Sequence, residues 1–129
     1  MLKGKRILIV EDERVVADAT KGFLVELGYD VIGTPCKGDD AVNMALRSRP
    51  DLIIMDIRLK GEMDGITAVE KIHEVLYLPV VYLTAYSEPS TIERANRTRH
   101  SGFIKKPVMN DDLEITVAAV IRKEGDKGR

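Results

Sequence analysis

The 129 residues contain no tryptophan and a single cysteine, Cys36. One thiol cannot close an internal disulfide, so nothing here points to an oxidising compartment. An excess of one charge is also missing: 20 Lys and Arg oppose 21 Asp and Glu, for a net charge of −1. A general nucleic-acid binder would carry a basic excess, so direct nucleic-acid binding is not expected. No apolar run approaches the ~18 residues of a membrane span. The opening run stops at Glu11 and Asp12, far short of a signal peptide. Internal repeats and low-complexity segments are absent too. What is present is 44% hydrophobic and 32% charged, enough to bury a core and coat it, which excludes a disordered chain. The length suits one domain. The expectation is a soluble, single-domain, cytoplasmic protein with no membrane association.

Four apolar runs stand out: Ile7-Leu8-Ile9-Val10, Leu52-Ile53-Ile54-Met55, Val80-Val81-Tyr82-Leu83 and the weaker Tyr29-Asp30-Val31-Ile32. The first three are continuous rather than alternating, the pattern of strands covered on both faces of a parallel sheet. Helical spacing fills the intervals. Val16, Ala19, Phe23 and Leu27 recur at three- and four-residue steps, with Gly28 as a C-terminal stop. Ala41, Ala45 and Leu46 mark a second helix, ended by Pro50. Ile66, Val69, Ile72 and Leu76 mark a third, with Asp64 placed to cap it. Leu113, Val117, Val120 and Ile121 mark the last, with Asn110 as its cap and Asp111 and Asp112 facing the positive end of its dipole. Between them, 88–98 offers only Ile92 and Ala95 as apolar positions, and a short strand, Gly102-Phe103-Ile104, follows. Strand then helix, five times over, predicts an α/β sandwich on a parallel sheet built from right-handed crossovers. The charged stretch Arg122 to Arg129 reads as a frayed tail or the start of a linker.

In an open parallel sheet, ligands bind beyond the carboxyl ends of the strands. Glu11 and Asp12 follow the first strand, Asp56 the third, Thr84 the fourth, and Lys105, Lys106 and Pro107 the fifth. Three carboxylates, a hydroxyl and an amine thus collect at one sheet edge. Crowded carboxylates repel one another, and a hard divalent cation such as Mg²⁺ relieves this with oxygen ligands. A bound cation also lets an aspartate accept a phosphoryl group by screening its charge. An amine and a hydroxyl would hold the transferred oxygens. Each residue alone has a plainer reading: a carboxylate pair after a strand is usually a helix cap, Asp56 a turn residue, Lys-Pro a loop. Their joint arrival at four strand ends favours the functional reading.

The whole chain resembles the receiver domain of two-component response regulators. The resemblance rests on Ile7-Leu8-Ile9-Val10-Glu11-Asp12-Glu13, Asp51-Leu52-Ile53-Ile54-Met55-Asp56, Met63-Asp64-Gly65, Leu83-Thr84-Ala85 and Phe103-Ile104-Lys105-Lys106-Pro107, in order, covering about 5 to 122. It implies a flavodoxin-like, doubly wound five-stranded parallel sheet of order 2-1-3-4-5 with helices on both faces, and a receiver unit over 1–123 with 124–129 as tail or linker. It implies that Asp56 accepts a phosphoryl group from a histidine kinase or phosphotransfer protein. Asp12 would bind Mg²⁺ directly (Mn²⁺ as an alternative), Glu11 through water, and the Arg58 main-chain carbonyl would complete the protein ligands with Asp56. Lys106, favoured over Lys105 by its spacing from Phe103, would pair with the phosphoryl oxygens. The Lys106–Pro107 bond is often cis in this family. Thr84 would swing toward the phosphoryl group and Phe103 turn inward behind it, reshaping a partner-binding surface on the fourth helix, fifth strand and fifth helix. Members often pair as homodimers through that surface. Such a domain is a signalling phosphoacceptor rather than an enzyme, acting only on its own phosphorylation and dephosphorylation.

Several features depart from the family pattern. The loop Ile57-Arg58-Leu59-Lys60-Gly61-Glu62-Met63-Asp64-Gly65 lacks the common Met-Pro and is one residue longer. The first acid is Glu11 rather than Asp, and the switch position is Phe103 rather than Tyr. Arg58 and Tyr86, two positions beyond Asp56 and Thr84, should flank the site and limit water access to it. Other residues invite plainer readings: His73 as a solvated side chain, His100 without a second ligand, Cys36 as small packing. Arg94, Arg97 and Arg99 read as a wet basic face or as part of the partner surface. A flavin site would need a Ser/Thr/Gly-rich loop where Glu11-Asp12-Glu13 stands, and an Asp-x-Asp phosphohydrolase an acid where Arg58 stands. No P-loop run occurs. The alternative that remains is a receiver-like interaction module that works without phosphorylation. The sequence includes no output domain, so it is expected to be a stand-alone receiver or a piece of a longer protein whose output domain or partner lies elsewhere.

Overall fold

A strand with apolar side chains on both faces must lie between two layers of helices. The three continuous runs do so in the computed structural model, which describes residues 2–85 and 88–127. The elements are β1 (Arg6–Val10), α1 (Arg14–Glu26), β2 (Asp30–Gly33), α2 (Gly38–Ser48), β3 (Leu52–Asp56), α3 (Gly65–His73), β4 (Val80–Thr84), α4 (Pro89–Asn96), β5 (Gly102–Lys105) and α5 (Asn110–Lys127). All five strands are parallel, in the order β2-β1-β3-β4-β5. This is the doubly wound, flavodoxin-like architecture that the resemblance implied. Every residue of β3 and β4 is buried.

Period-two alternation divides the core into two layers. Leu8, Val10, Ile53, Met55, Val80 and Tyr82 pack toward α2, α3 and α4. Ile7, Ile9, Leu52, Ile54, Val81, Leu83 and Ile104 pack toward α1 and α5, where Leu24, Leu113, Val117, Val120 and Ile121 meet them. Each such buried aliphatic side chain stabilises the fold by roughly 1.5–3 kcal/mol. Sheet register then aligns the strand ends: Val10 lies beside Met55, Asp56 beside Leu83, and Thr84 beside Lys105. Among the described residues, no helix is long and apolar enough to cross a membrane.

Local sequence explains the helix ends. Gly28, at φ +98°, closes α1: its N–H donates to the Val25 carbonyl and that of Tyr29 to Leu24, the paired bonds of a Schellman ending. Asp64 caps α3, its Oδ1 accepting from the Thr67 N–H at 2.8 Å. Four expectations need correction. The buried line of α1 is Ala17, Thr20 and Leu24; Val16, Phe23 and Leu27 only flank it and Ala19 is exposed. Leu76 lies beyond the end of α3 but still packs on the core. Asn110 is already inside α5, and the Met109 carbonyl accepts the first i→i−4 bond, from Leu113. The charged stretch from Arg122, expected to be frayed, is helical as far as Lys127.

Candidate functional site

The order β2-β1-β3 makes the carboxyl end of β1 and β3 the switch point of the sheet, where neighbouring crossovers leave in opposite directions and open a crevice. A cleft of about 740 Å³ lies there, lined by Asp12, Asp56, Arg58, Thr84, Glu88 and Lys106 among others. Asp56 ends β3 and is 2% exposed; Glu11, directly after β1, is 0% exposed. Asp12 is half-buried. Carboxylate oxygens of Glu11, Asp12 and Asp56 all come within 4.8 Å of one another.

One ammonium answers these charges. Lys106 Nζ lies 2.9 Å from Asp56 Oδ2, 3.2 Å from Glu11 Oε1 and 3.8 Å from Glu13 Oε1. Its backbone N–H donates to the Thr84 carbonyl at 2.8 Å, and the following bond to Pro107 is cis. Burial works against the charged Lys106, but Asp56 and Glu11 outweigh it and raise its pKa. Lys105, the other lysine of the pair, is exposed at the end of β5. The second Asp56 oxygen accepts the Arg58 backbone N–H at 3.1 Å.

Glu11 is the most deeply buried member of the group. Its Oε2 accepts the Glu13 N–H at 3.1 Å, while its buried Oε1 meets Lys106 as an ion pair without hydrogen-bond geometry. Burial, reinforced by the adjacent Asp56 carboxyl, pushes the Glu11 pKa up to about 7. A buried acceptor oxygen without a hydrogen bond, beside two further carboxylates, is a donor set suited to a hard cation with oxygen ligands.

Thr84, 6% exposed, ends β4 and lines the cleft. Phe103 is half-buried on β5, against Tyr82 (ring centroids 5.9 Å apart) and His100 (4.7 Å). Tyr86 lies outside the described residues. Arg58 reaches across the cleft mouth to Glu88, Nη2 to Oε1 at 2.5 Å. Gly65 has a role that its place in a motif did not reveal: a Cβ there would lie 2.1 Å from the Asp56 carbonyl oxygen. Sequence reasoning also gave no role to Glu13 or Glu88. Their signal was position, one at the start of α1 and the other at the N-cap of α4.

The set-aside residues also found partners. His73 is not simply solvated; its Nε2 sits 3.0 Å from the Leu78 carbonyl and its ring tilts against Tyr77. His100 meets Asn96 Oδ1 at 2.9 Å and the Tyr82 ring. Arg94 and Arg99 are not merely a wet face. Arg94 pairs with Asp64 at 2.8 Å, and the Arg99 guanidinium lies 3.9 Å over the Tyr77 ring. Cys36 is free and half-buried.

The model of the response regulator receiver domain family matches residues 7–118. The chain belongs to that family. It is a receiver domain of two-component signalling, and the family is a signalling one rather than primarily enzymatic. The chain is 36% identical over 109 residues to the transcriptional regulatory protein PdtaR of Mycobacterium tuberculosis, covering 84% of this chain and 53% of PdtaR. It thus spans about half the length of that relative. Among solved structures, the signal receiver domain of a modulated diguanylate cyclase from Desulfovibrio desulfuricans G20 superposes with a TM-score of 0.89 at 34% identity, covering 97% of this chain and 99% of that one. The receiver domain of the sensor histidine kinase PA1611 from Pseudomonas aeruginosa PAO1 superposes with a TM-score of 0.82 at 30% identity, covering 92% and 98%. That structure holds a magnesium ion in its active-site cleft. Receiver domains bind Mg²⁺ at an acidic cluster, and here the corresponding group is Glu11, Asp12 and Asp56.

Proposed function

We propose that the domain takes a phosphoryl group onto Asp56 from a phosphohistidine of a sensor histidine kinase or phosphotransfer protein, with Mg²⁺ or Mn²⁺ as cofactor. The observation that carries this reading is the buried Asp56 carboxylate in contact with the Lys106 ammonium at 2.9 Å, both lining the same cleft. In the transfer, an Asp56 oxygen forms the new bond to phosphorus while the bond to the donor imidazole nitrogen breaks, leaving neutral imidazole after protonation. The cation, held by Asp12, Asp56 and the Arg58 main-chain carbonyl with Glu11 behind them, would screen the charge of the arriving group. Lys106 then has an ammonium ready for the phosphoryl oxygens, acting as a point charge. Thr84 supplies a hydroxyl on the same side. Its movement, with Phe103 following, would reshape the surface of α4, β5 and α5 for an output partner, an output domain or a second copy of the chain. Arg58 and Tyr86 would flank the site and slow hydrolysis. The unit that does this spans 1–123, with 124–129 as junction or tail, and we place it in the cytoplasm.

Intact mass after incubation with acetyl phosphate tests the proposal. A single phosphoryl adduct is expected with Mg²⁺, none without it, and none in Asp56→Asn. Absence of an adduct from folded protein, with acetyl phosphate and with histidine-kinase donors alike, would favour a module that binds partners without phosphorylation.

A further inference from the structure

The helix α4 has little to hold it. Ala95 is its only fully buried residue, and its sequence, PSTIERAN, is mostly polar. A helix of eight residues without a packed apolar face is marginal in water. Among the described residues, two ion pairs fasten it instead, and both come from the loop that follows Asp56. At the start of α4, the N-cap residue Glu88 takes the Arg58 guanidinium on Oε1, while its Oε2 accepts from the Thr91 hydroxyl at 3.3 Å. Near the end of α4, Arg94 reaches the N-cap residue of α3. Its Nη1 donates to Asp64 Oδ2 at 2.8 Å, and its Nη2 donates to Asp64 Oδ1 at 3.4 Å and Thr67 Oγ1 at 3.3 Å. The polarity is crossed: the loop offers a cation at one end and an anion at the other, so α4 cannot slide along the pair without breaking both.

The loop in turn is seated on Asp56. Arg58 donates its N–H to Asp56 Oδ1, Gly65 donates its N–H to the Ile57 carbonyl at 2.8 Å, and Gly65 packs against the Asp56 carbonyl. The geometry points to a two-point clamp in which residues 58 and 64 set the position of α4, with Glu88 and Arg94 as positioning residues. A change of charge on Asp56 would reach α4 through this backbone as well as through Thr84 and Phe103. That second consequence rests on the phosphoacceptor reading; the clamp itself does not.

Amide hydrogen exchange of the full chain tests both. In Glu88→Gln/Arg94→Gln, residues 89–96 should exchange roughly fivefold to tenfold faster at rest, with α1 and α5 unchanged. Arg94→Lys, which keeps the charge but loses the fork, should fall between wild type and Arg94→Gln. On adding acetyl phosphate and Mg²⁺, exchange in α4 should change in wild type. In Arg94→Gln, which leaves the cleft lining unchanged, the adduct should still form with that response weakened. Wild-type exchange rates at rest in the double variant would overturn the clamp. Faster exchange in Arg94→Gln with the response undiminished would overturn its transmitting role. A wild type that forms no adduct would count against the phosphoacceptor reading, and the resting rates would still decide the clamp.

Discussion

Asp56 sits in a conflict between stability and readiness for chemistry. Its carboxylate shares a space of 4.8 Å with those of Glu11 and Asp12, and among the described residues only Lys106 offsets them at close range. Replacing Asp56 by Asn removes one of the repelling charges while keeping the shape. Without divalent metal, Asp56→Asn should therefore be more stable than wild type by about 1 kcal/mol, measured by urea denaturation in EDTA. Lower stability would mean that the Lys106 contact outweighs the crowding. Gly65 presents the opposite case, a residue with no chemistry but no room to spare. A Cβ there would meet the Asp56 carbonyl oxygen at 2.1 Å and Met55 Cγ at 2.9 Å. Gly65→Ala must push α3 away from β3, at a cost of about 1–3 kcal/mol. Because the displaced atoms belong to Asp56, acetyl-phosphate labelling should slow even at temperatures where the variant stays folded.

Among elements, α3 shows how one side chain can serve two purposes. Asp64 caps the helix and also anchors Arg94. Burial alone would lift its carboxyl, but the Arg94 guanidinium and the Thr67 N–H outweigh burial and hold it below the ordinary carboxylate value. A folded pKa below the unfolded one gives stability that is present above the unfolded value, near 3.9, and is lost as pH falls through the folded one. Asp64→Ala should cost about 1–2 kcal/mol at pH 7, and the gap to wild type should close in acid, below about pH 4. A gap independent of pH would show that the carboxylate charge contributes nothing. Elements differed in how plainly the sequence declared them. Continuous runs such as Val80-Val81-Tyr82-Leu83 leave a strand no solvent face, so β1, β3 and β4 were legible. The face of α1 was not, because its buried line includes Thr20 while Val15, 83% exposed, is as apolar as its core neighbours. α4 was hard to read for a related reason: ion pairs from another segment hold it, and these leave no periodic trace.

At the scale of the molecule, the site exists only when four strand ends meet. Glu11, Asp56, Thr84 and Lys106 were legible as a group because parallel topology sends every strand's carboxyl end to one edge. The contacts of Glu13, Glu88 and Gly65 were not, since they depend on loop paths that no spacing rule fixes. Because the unfolded chain scatters these carboxylates, a cation that needs all of them binds only the folded state and stabilises it by mass action. At a hundred times its dissociation constant, Mg²⁺ should add about 2.7 kcal/mol, which for a chain of this size raises the melting temperature by roughly 10 °C. On the proposed ligand set, Asp56→Asn loses one anionic ligand and should gain much less. The two proteins should therefore exchange rank in a Mg²⁺ titration, the variant melting higher in EDTA and the wild type higher at saturating metal. Parallel curves would show that Asp56 does not face the cation. A crossing would show that the repulsion weakening the free domain is the same feature that makes it a metal site.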